Sequence, residues 1–215
     1  MSEKNVKFWR DVSDKYDNAI DIILGKNIRH YILENLEQES NLGRSVEFGC
    51  GTGYFTKALA EKSETLIATD ISNEMLEIAE NNLDKIKNTE FKCLDCQSSS
   101  FGENTFDTVF IGLVLLFTDD AQKVLEESKR ILKPEGSLLL AEPDISYLSG
   151  YGKLKFFYRT ITSYWKIPPT GHFFTQEELL RMLNETDFKV IQKEVLQDPS
   201  DPHSLSASYI KSISV

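Results

Sequence analysis

Ser45-Val46-Glu47-Phe48-Gly49-Cys50-Gly51-Thr52-Gly53-Tyr54 is the stretch whose reading decides the fold. Val46 and Phe48 close a short apolar run of the buried-strand type. The glycines at 49, 51 and 53 break it, and Thr52 to Lys62 resumes with apolar residues at helical spacing. Strand, glycine turn and helix are therefore predicted in sequence. Glycine is needed in such a turn because the backbone takes dihedrals closed to residues with a Cβ and lets a ligand approach the main chain. The helix that follows aims free N–H groups and the positive end of its dipole into the loop. The stretch predicts a site for a nucleotide-like, partly anionic ligand.

Spacing narrows the ligand. The dinucleotide fingerprint is G-x-G-x-x-G, whereas the pattern here is Gly49-x-Gly51-x-Gly53, with Tyr54 where the third fingerprint glycine would stand. A nucleotide-linked oxidoreductase is disfavoured by that spacing, and the lysine of a P-loop is missing. Glu47 is awkward beside a pyrophosphate but suits a ligand carrying an ammonium group. The decamer resembles motif I of the class I S-adenosylmethionine-dependent methyltransferases, whose form is hydrophobic-Asp/Glu-hydrophobic-Gly-x-Gly-x-Gly.

Composition excludes other classes. The chain has 215 residues, 40% of them apolar, which suits one domain with a full core and a small appended cap. Lys and Arg total 24 against 34 Asp and Glu, and the net charge of −10 argues against nucleic-acid partners and against docking on anionic lipid. Met1 to Arg10 holds no apolar leader and no later run approaches a membrane span, so the expectation is a soluble, cytoplasmic protein without membrane partners. The cysteines at 50, 93 and 96 include one Cys-x-x-Cys. Structural zinc wants four ligands, so no metal is expected, and packing explains Cys93 if it lies in a strand.

Residues 6 to 24 carry Val6, Phe8, Trp9, Val12, Tyr16, Ala19, Ile20 and Ile23 at three- and four-residue steps, and Ile28 to Leu36 repeats the spacing. The resemblance implies that this N-terminal helical region, taken as a lid over 1–40, brings Tyr16-Asp17 to the cofactor. A second strand, Thr65 to Thr69, ends at Asp70, whose two oxygens can accept hydrogen bonds from both hydroxyls of a ribose. Ser72 reads as the N-cap of a helix over Asn73 to Leu83. A third strand, Thr89 to Leu94, delivers Asp95 to the same sheet edge. The resemblance further implies Asp95 at the adenine amino group and Cys96 beside the ring. It also puts Glu47 and the main chain of Gly49, Cys50, Gly51 and Gly53 around the methionine end, with Ile71, Met75 and Gly112 lining the cleft.

The fourth strand, Thr105 to Ile111, reads as buried on both faces. Phe106-Asp107-Thr108-Val109 and the helix ending Arg130-Ile131-Leu132-Lys133-Pro134-Glu135-Gly136 are similar to the ubiquinone/menaquinone type of small-molecule methyltransferase. One departure is that many relatives carry a histidine pair where this chain has Leu116-Phe117, so no general base is supplied there. A fifth strand spans Ser137 to Ala141.

Between Tyr147 and Phe174 nine aromatic residues fall in 28, together with Pro168-Pro169 and Gly171-His172. This insertion, 145–174, is expected to cap the strand-end crevice and shape an acceptor pocket, with His172 the candidate catalytic base. Thr175 and Glu178 form a predicted capping box, and Lys189 to Leu196 and Ser206 to Val215 alternate as strands.

Alternating strands and helices predict a doubly wound, mostly parallel sheet. The resemblance implies seven strands in the order 3-2-1-4-5-7-6, the last antiparallel, and methyl transfer from S-adenosylmethionine to a small, apolar or aromatic acceptor. A catalytically silent cofactor-binding protein of the same fold is the alternative reading.

Overall fold

The computed structural model describes residues 2–24, 26–83, 86–146, 148, 150–164, 171–198 and 205–215. Tyr147, Trp165, Pro168, Pro169 and His203 lie outside them. Seven strands form one sheet in the order β3-β2-β1-β4-β5-β7-β6: β1 (Gly43–Phe48), β2 (Ser63–Asp70), β3 (Thr89–Cys93), β4 (Phe106–Gly112), β5 (Leu132–Asp144), β6 (Phe188–Leu196) and β7 (Ser206–Ser214). The first five pair in parallel, and β7 runs antiparallel between β5 and β6. This is the expected topology.

Both faces of the sheet are covered, and the alternation of side chains along a strand sorts the core into two layers. Phe110 and Leu139 pack with α2 (Tyr16–Leu24), α3 (Lys26–Gln38) and α4 (Thr56–Lys62), while Val109, Ile111, Leu138 and Leu140 pack with α6 (Ala121–Ile131) and α8 (Gln176–Glu185). The middle of β4, Val109 to Ile111, and of β5, Leu138 to Ala141, is accordingly a continuous apolar run, as suits parallel strands buried on both sides. The remaining helices are α1 (Glu3–Val12), α5 (Asn73–Asn82) and α7 (Gly150–Tyr164).

Three local differences from the sequence reading have physical causes. The apolar run over 6–24 is two helices, α1 and α2, joined by a 3-10 turn at Ser13–Lys15, where the Ser13 hydroxyl donates to the Arg10 carbonyl in competition with the helix ladder. The helix after the glycine loop starts at Thr56 rather than Thr52, because Gly53 at φ 87° holds the chain in the left-handed region. β5 begins five residues before Ser137: Leu132 pairs with Phe106, Lys133–Gly136 bulge out through Glu135 at φ 62°, and regular pairing resumes at Ser137 with Thr108. Cys93 is exposed at the end of β3 rather than packed. The capping box on α8 forms as predicted, with Thr175 and Glu178 each bonding the other's backbone N–H.

Candidate active site

The glycine turn is held from three sides. Cys50 N–H donates to the Thr69 carbonyl at 2.8 Å, Gly51 N–H to Asp70 Oδ2 at 2.9 Å, and Asn82 Nδ2 to the Thr52 carbonyl at 3.0 Å. Gly49 sits at φ 71°, and a Cβ there would stand 2.4 Å from a Val114 methyl. At Gly51, φ 54°, a Cβ would meet only the Tyr16 ring, at 3.5 Å. The second oxygen of Asp70 accepts from Ser72 N–H at 3.0 Å, and Ser72 Oγ caps α5 by accepting from Met75 N–H. Burial raises the Asp70 carboxyl above its ordinary range, against the pull of these N–H donors.

These groups open on a cleft at the carboxyl ends of the strands. Gly49, Gly51 and Asp70 form its polar wall; Ile71, Met75, Leu94 and Cys96 form an apolar one. Trp9 and Tyr16 come from α1 and α2, and Leu113, Val114 and Phe117 from the loop after β4. Of the residues expected at the site, Tyr16, Gly49, Gly51, Asp70, Ile71, Met75 and Cys96 meet here. Trp9, Leu94, Leu113 and Val114 had no sequence signal beyond being apolar, and Phe117 was distinguished only by standing where many relatives carry a histidine.

The remaining expected residues stand elsewhere. Glu47 lies beneath the turn, 1% exposed, where its Oε2 accepts from Thr56 Oγ1 at 2.6 Å; burial pushes its carboxyl up to about 8. Through this bond Glu47 ties β1 to α4, and it is not among the residues lining the cleft, where it was expected at the ligand's amino end. Cys50 and Gly53 shape the turn without forming the cleft wall, and a Cβ at Gly53 would press on Leu83 at 2.8 Å. The Asp95 carboxylate accepts from Gln97 N–H at 2.9 Å, just beyond Leu94 of the wall. Gly112 leaves room for the Phe110 ring, which a Cβ would approach to 2.6 Å. His172, the expected base, is exposed: its ring packs on Phe174 at 4.5 Å, its backbone N–H donates to the Leu116 carbonyl, and it is not among the residues lining the cleft or the cavity beside it.

That cavity, of about 250 Å³, lies between α2, α7 and the loop after β4. Ile20, Ile23, Leu116, Pro143, Phe156 and Phe173 contribute to its walls, and Thr160 brings their one side-chain hydroxyl among the described residues. Leu113 and Phe117 belong to the cavity and to the cleft. The loop carrying them is held by Glu142, whose Oε1 accepts from Val114 and Leu115 N–H at 2.8 Å each, while its buried Oε2 meets no hydrogen-bond partner among the described residues. Burial pushes the Glu142 carboxyl up to about 7, the backbone N–H groups of Leu115, Val114 and Leu116 opposing it.

In a doubly wound sheet, a crevice outside the carboxyl ends of the strands at the switch point, here with a glycine turn and a strand-tip carboxylate, is where ligands bind. Residues 46–140 match the family model described as a methyltransferase domain. An uncharacterized protein of Methanocaldococcus jannaschii is 32% identical over 184 residues, covering 85% of this chain and 83% of that one. The demethylmenaquinone methyltransferase of Staphylococcus aureus is 27% identical over 202 residues, covering 85% and 83%. In fold, the chain is similar to a Thermotoga maritima S-adenosylmethionine-dependent methyltransferase described as a possible histamine N-methyltransferase, with a TM-score of 0.74, 20% identity and coverage of 97% and 99%. The chain belongs to the class I S-adenosylmethionine-dependent methyltransferases.

Proposed function

We propose that the protein transfers the methyl group of S-adenosylmethionine to a small apolar acceptor bound in the cavity between α2 and α7. The observation that carries this reading is the pair Leu113 and Phe117, which line the cleft on one side and the cavity on the other, so that a ligand in each would meet across them. Bound in the cleft, the cofactor supplies a sulfonium methyl that is electrophilic without further activation.

The chain's own residues then have positioning work. Each oxygen of Asp70 accepts one backbone N–H and keeps capacity for a ribose hydroxyl. Ile71, Met75, Leu94 and Cys96 suit the faces of an adenine ring, and Asp95, between Leu94 and Cys96 in sequence, is the carboxylate we assign to its edge. Tyr16 covers Gly51, and Glu47 holds the turn through Thr56. The cavity walls bring no titratable side chain among the described residues, which favours an acceptor that reacts without giving a proton to the protein.

The test is methyl transfer from labelled cofactor to a panel of hydroquinones, phenols, thiols and amines graded in apolar size. A demethylated menaquinone, the acceptor in the name of the Staphylococcus relative, belongs in it. Turnover with the apolar members is expected. Leu116→Ala, which alters the cavity but not the cleft, should raise acceptor KM about 3–10-fold, the scale of a lost apolar contact. Cofactor Kd should stay within about twofold. Tight cofactor binding with no turnover on any member would favour the catalytically silent reading.

A further inference from the structure

We propose that the outer face of α7 docks on an anionic lipid bilayer. The docking goes beyond the methyl-transfer reading; only its consequence for acceptor entry rests on that reading.

α7 exposes Tyr151 (70%), Leu154 (67%), Phe157 (56%), Tyr158 (69%) and Ile161 (40%). At about 100° per residue these five fall within an arc of about 120° on one side of the helix. Ile22 of α2, 43% exposed, stands near Thr162 and Ser163 of α7, and Asp14 and Lys15 of the turn before α2 offset each other in charge there. The opposite side of α7 is engaged, with Phe156 packed into the core and in edge contact with Phe173. The outward stripe is thus not surplus core.

Charge decides what the stripe meets. Lys155 and Arg159 flank the arc on one side and Lys153 on the other, so their stems can lie along apolar surface while their heads reach outward. From 145 to 176 there are four basic residues and no acidic one, in a chain with 34 Asp and Glu in all. The net charge of −10, which argued against lipid docking, conceals this positive segment. An interfacial helix binds through buried apolar area together with attraction of flanking cations to anionic headgroups, and tyrosine suits that boundary.

The stripe also adjoins the cavity. Phe157 and Ile161 are both exposed on the outer surface and part of the cavity wall. An apolar acceptor dissolved in the bilayer would therefore enter beside these two side chains without passing through bulk water.

The experiment is flotation of the full chain with vesicles of phosphatidylcholine alone and of phosphatidylcholine mixed with phosphatidylglycerol. Binding to the mixed vesicles, weakened by salt, is expected. Each of Lys153→Gln, Lys155→Gln and Arg159→Gln should lower partitioning about fivefold. Leu154→Ser combined with Tyr158→Ser should abolish flotation while leaving the melting temperature and cofactor affinity unchanged, since neither side chain is buried or lines the cleft or the cavity. No flotation of the parent, equal binding to neutral vesicles, or undiminished binding by the double variant would overturn the proposal. So would a parent that forms a dimer without lipid, floats with neither vesicle and becomes monomeric in the double variant, which would assign the stripe to a second copy. Failure of the methyl-transfer reading would show separately, as absent cofactor binding with flotation intact.

Discussion

Gly51 N–H and the Asp70 carboxylate meet at 2.9 Å, fastening the glycine turn after β1 to the tip of β2. With Cys50 N–H on the Thr69 carbonyl, the turn is bonded to the neighbouring strand at two successive residues. The carboxylate offered to a ligand is thus the one that orders the loop offered to the same ligand.

Arg29 of α3 ties down α2, the helix that brings Tyr16 to the cleft. Its Nε and Nη2 donate to Asp21 at 3.0 and 2.6 Å, its Nη1 to Asp17 at 2.7 Å, and its guanidinium lies 3.9 Å over the Tyr54 ring. A lysine offers one ammonium and cannot reproduce the fork and the stack together. Arg29→Lys should lose about 1–3 kcal/mol of stability and cleave faster in limited proteolysis within residues 2–24. Unchanged denaturation and cleavage rates would contradict this.

Gly49→Ala tests the turn itself. At φ 71°, with a methyl of Val114 2.4 Å from the added Cβ, the substitution combines backbone strain with displacement of a cleft residue. A stability loss of about 1–3 kcal/mol is expected, with weaker cofactor binding in whatever remains folded. Gly102→Ala, where the nearest atom is the Thr105 hydroxyl at 3.2 Å and no positive φ is involved, is the control and should change cofactor affinity little.

Glu47 supplies a pH signature. Its carboxyl is raised from 4.5 to about 8, chiefly by burial. Between those values the folded state holds a proton that the unfolded chain releases, so the contribution to stability is full below about 4.5 and is lost as pH rises through about 8. Glu47→Gln keeps an acceptor for Thr56 and removes the titration. Its stability relative to the parent should rise by on the order of 2–4 kcal/mol from pH 4 to pH 9, measured by denaturation of the cofactor-free protein. A pH-independent difference would contradict the assignment. Glu142, raised in the same direction, is present in both proteins and cancels.

The strands and helices were legible because their signals are local and periodic: Val46 and Phe48 before the glycines, Asp70 at a strand tip, and a capping box at Thr175; the order of the strands came from the resemblance. The bulge at Lys133–Gly136 was not, since Pro134 and Gly136 look like a turn that ends a helix, whereas Leu132 already pairs with Phe106. At the site, residues fixed by backbone position were readable, as Gly49, Gly51 and Asp70 show. Side-chain direction was not. The Glu47 carboxyl could point toward a ligand or toward Thr56, and only packing selects Thr56. Leu113 carried no signal, yet it adopts φ 62° and stands between cleft and cavity. His172 was singled out for its chemistry in an aromatic segment, and the backbone bond to Leu116 leaves its ring outside.

The central claim is that Asp70 and the glycine turn grip the adenosyl group, and calorimetric titration of S-adenosylhomocysteine into the parent and Asp70→Ala proteins tests it most directly. The variant removes a charged acceptor from two backbone donors and from the ligand, a loss of about 1.5–3 kcal/mol. One-to-one binding by the parent and a Kd at least tenfold weaker for a still-folded variant is the predicted result. No heat of binding to the parent, or equal affinities for the two proteins, would contradict it.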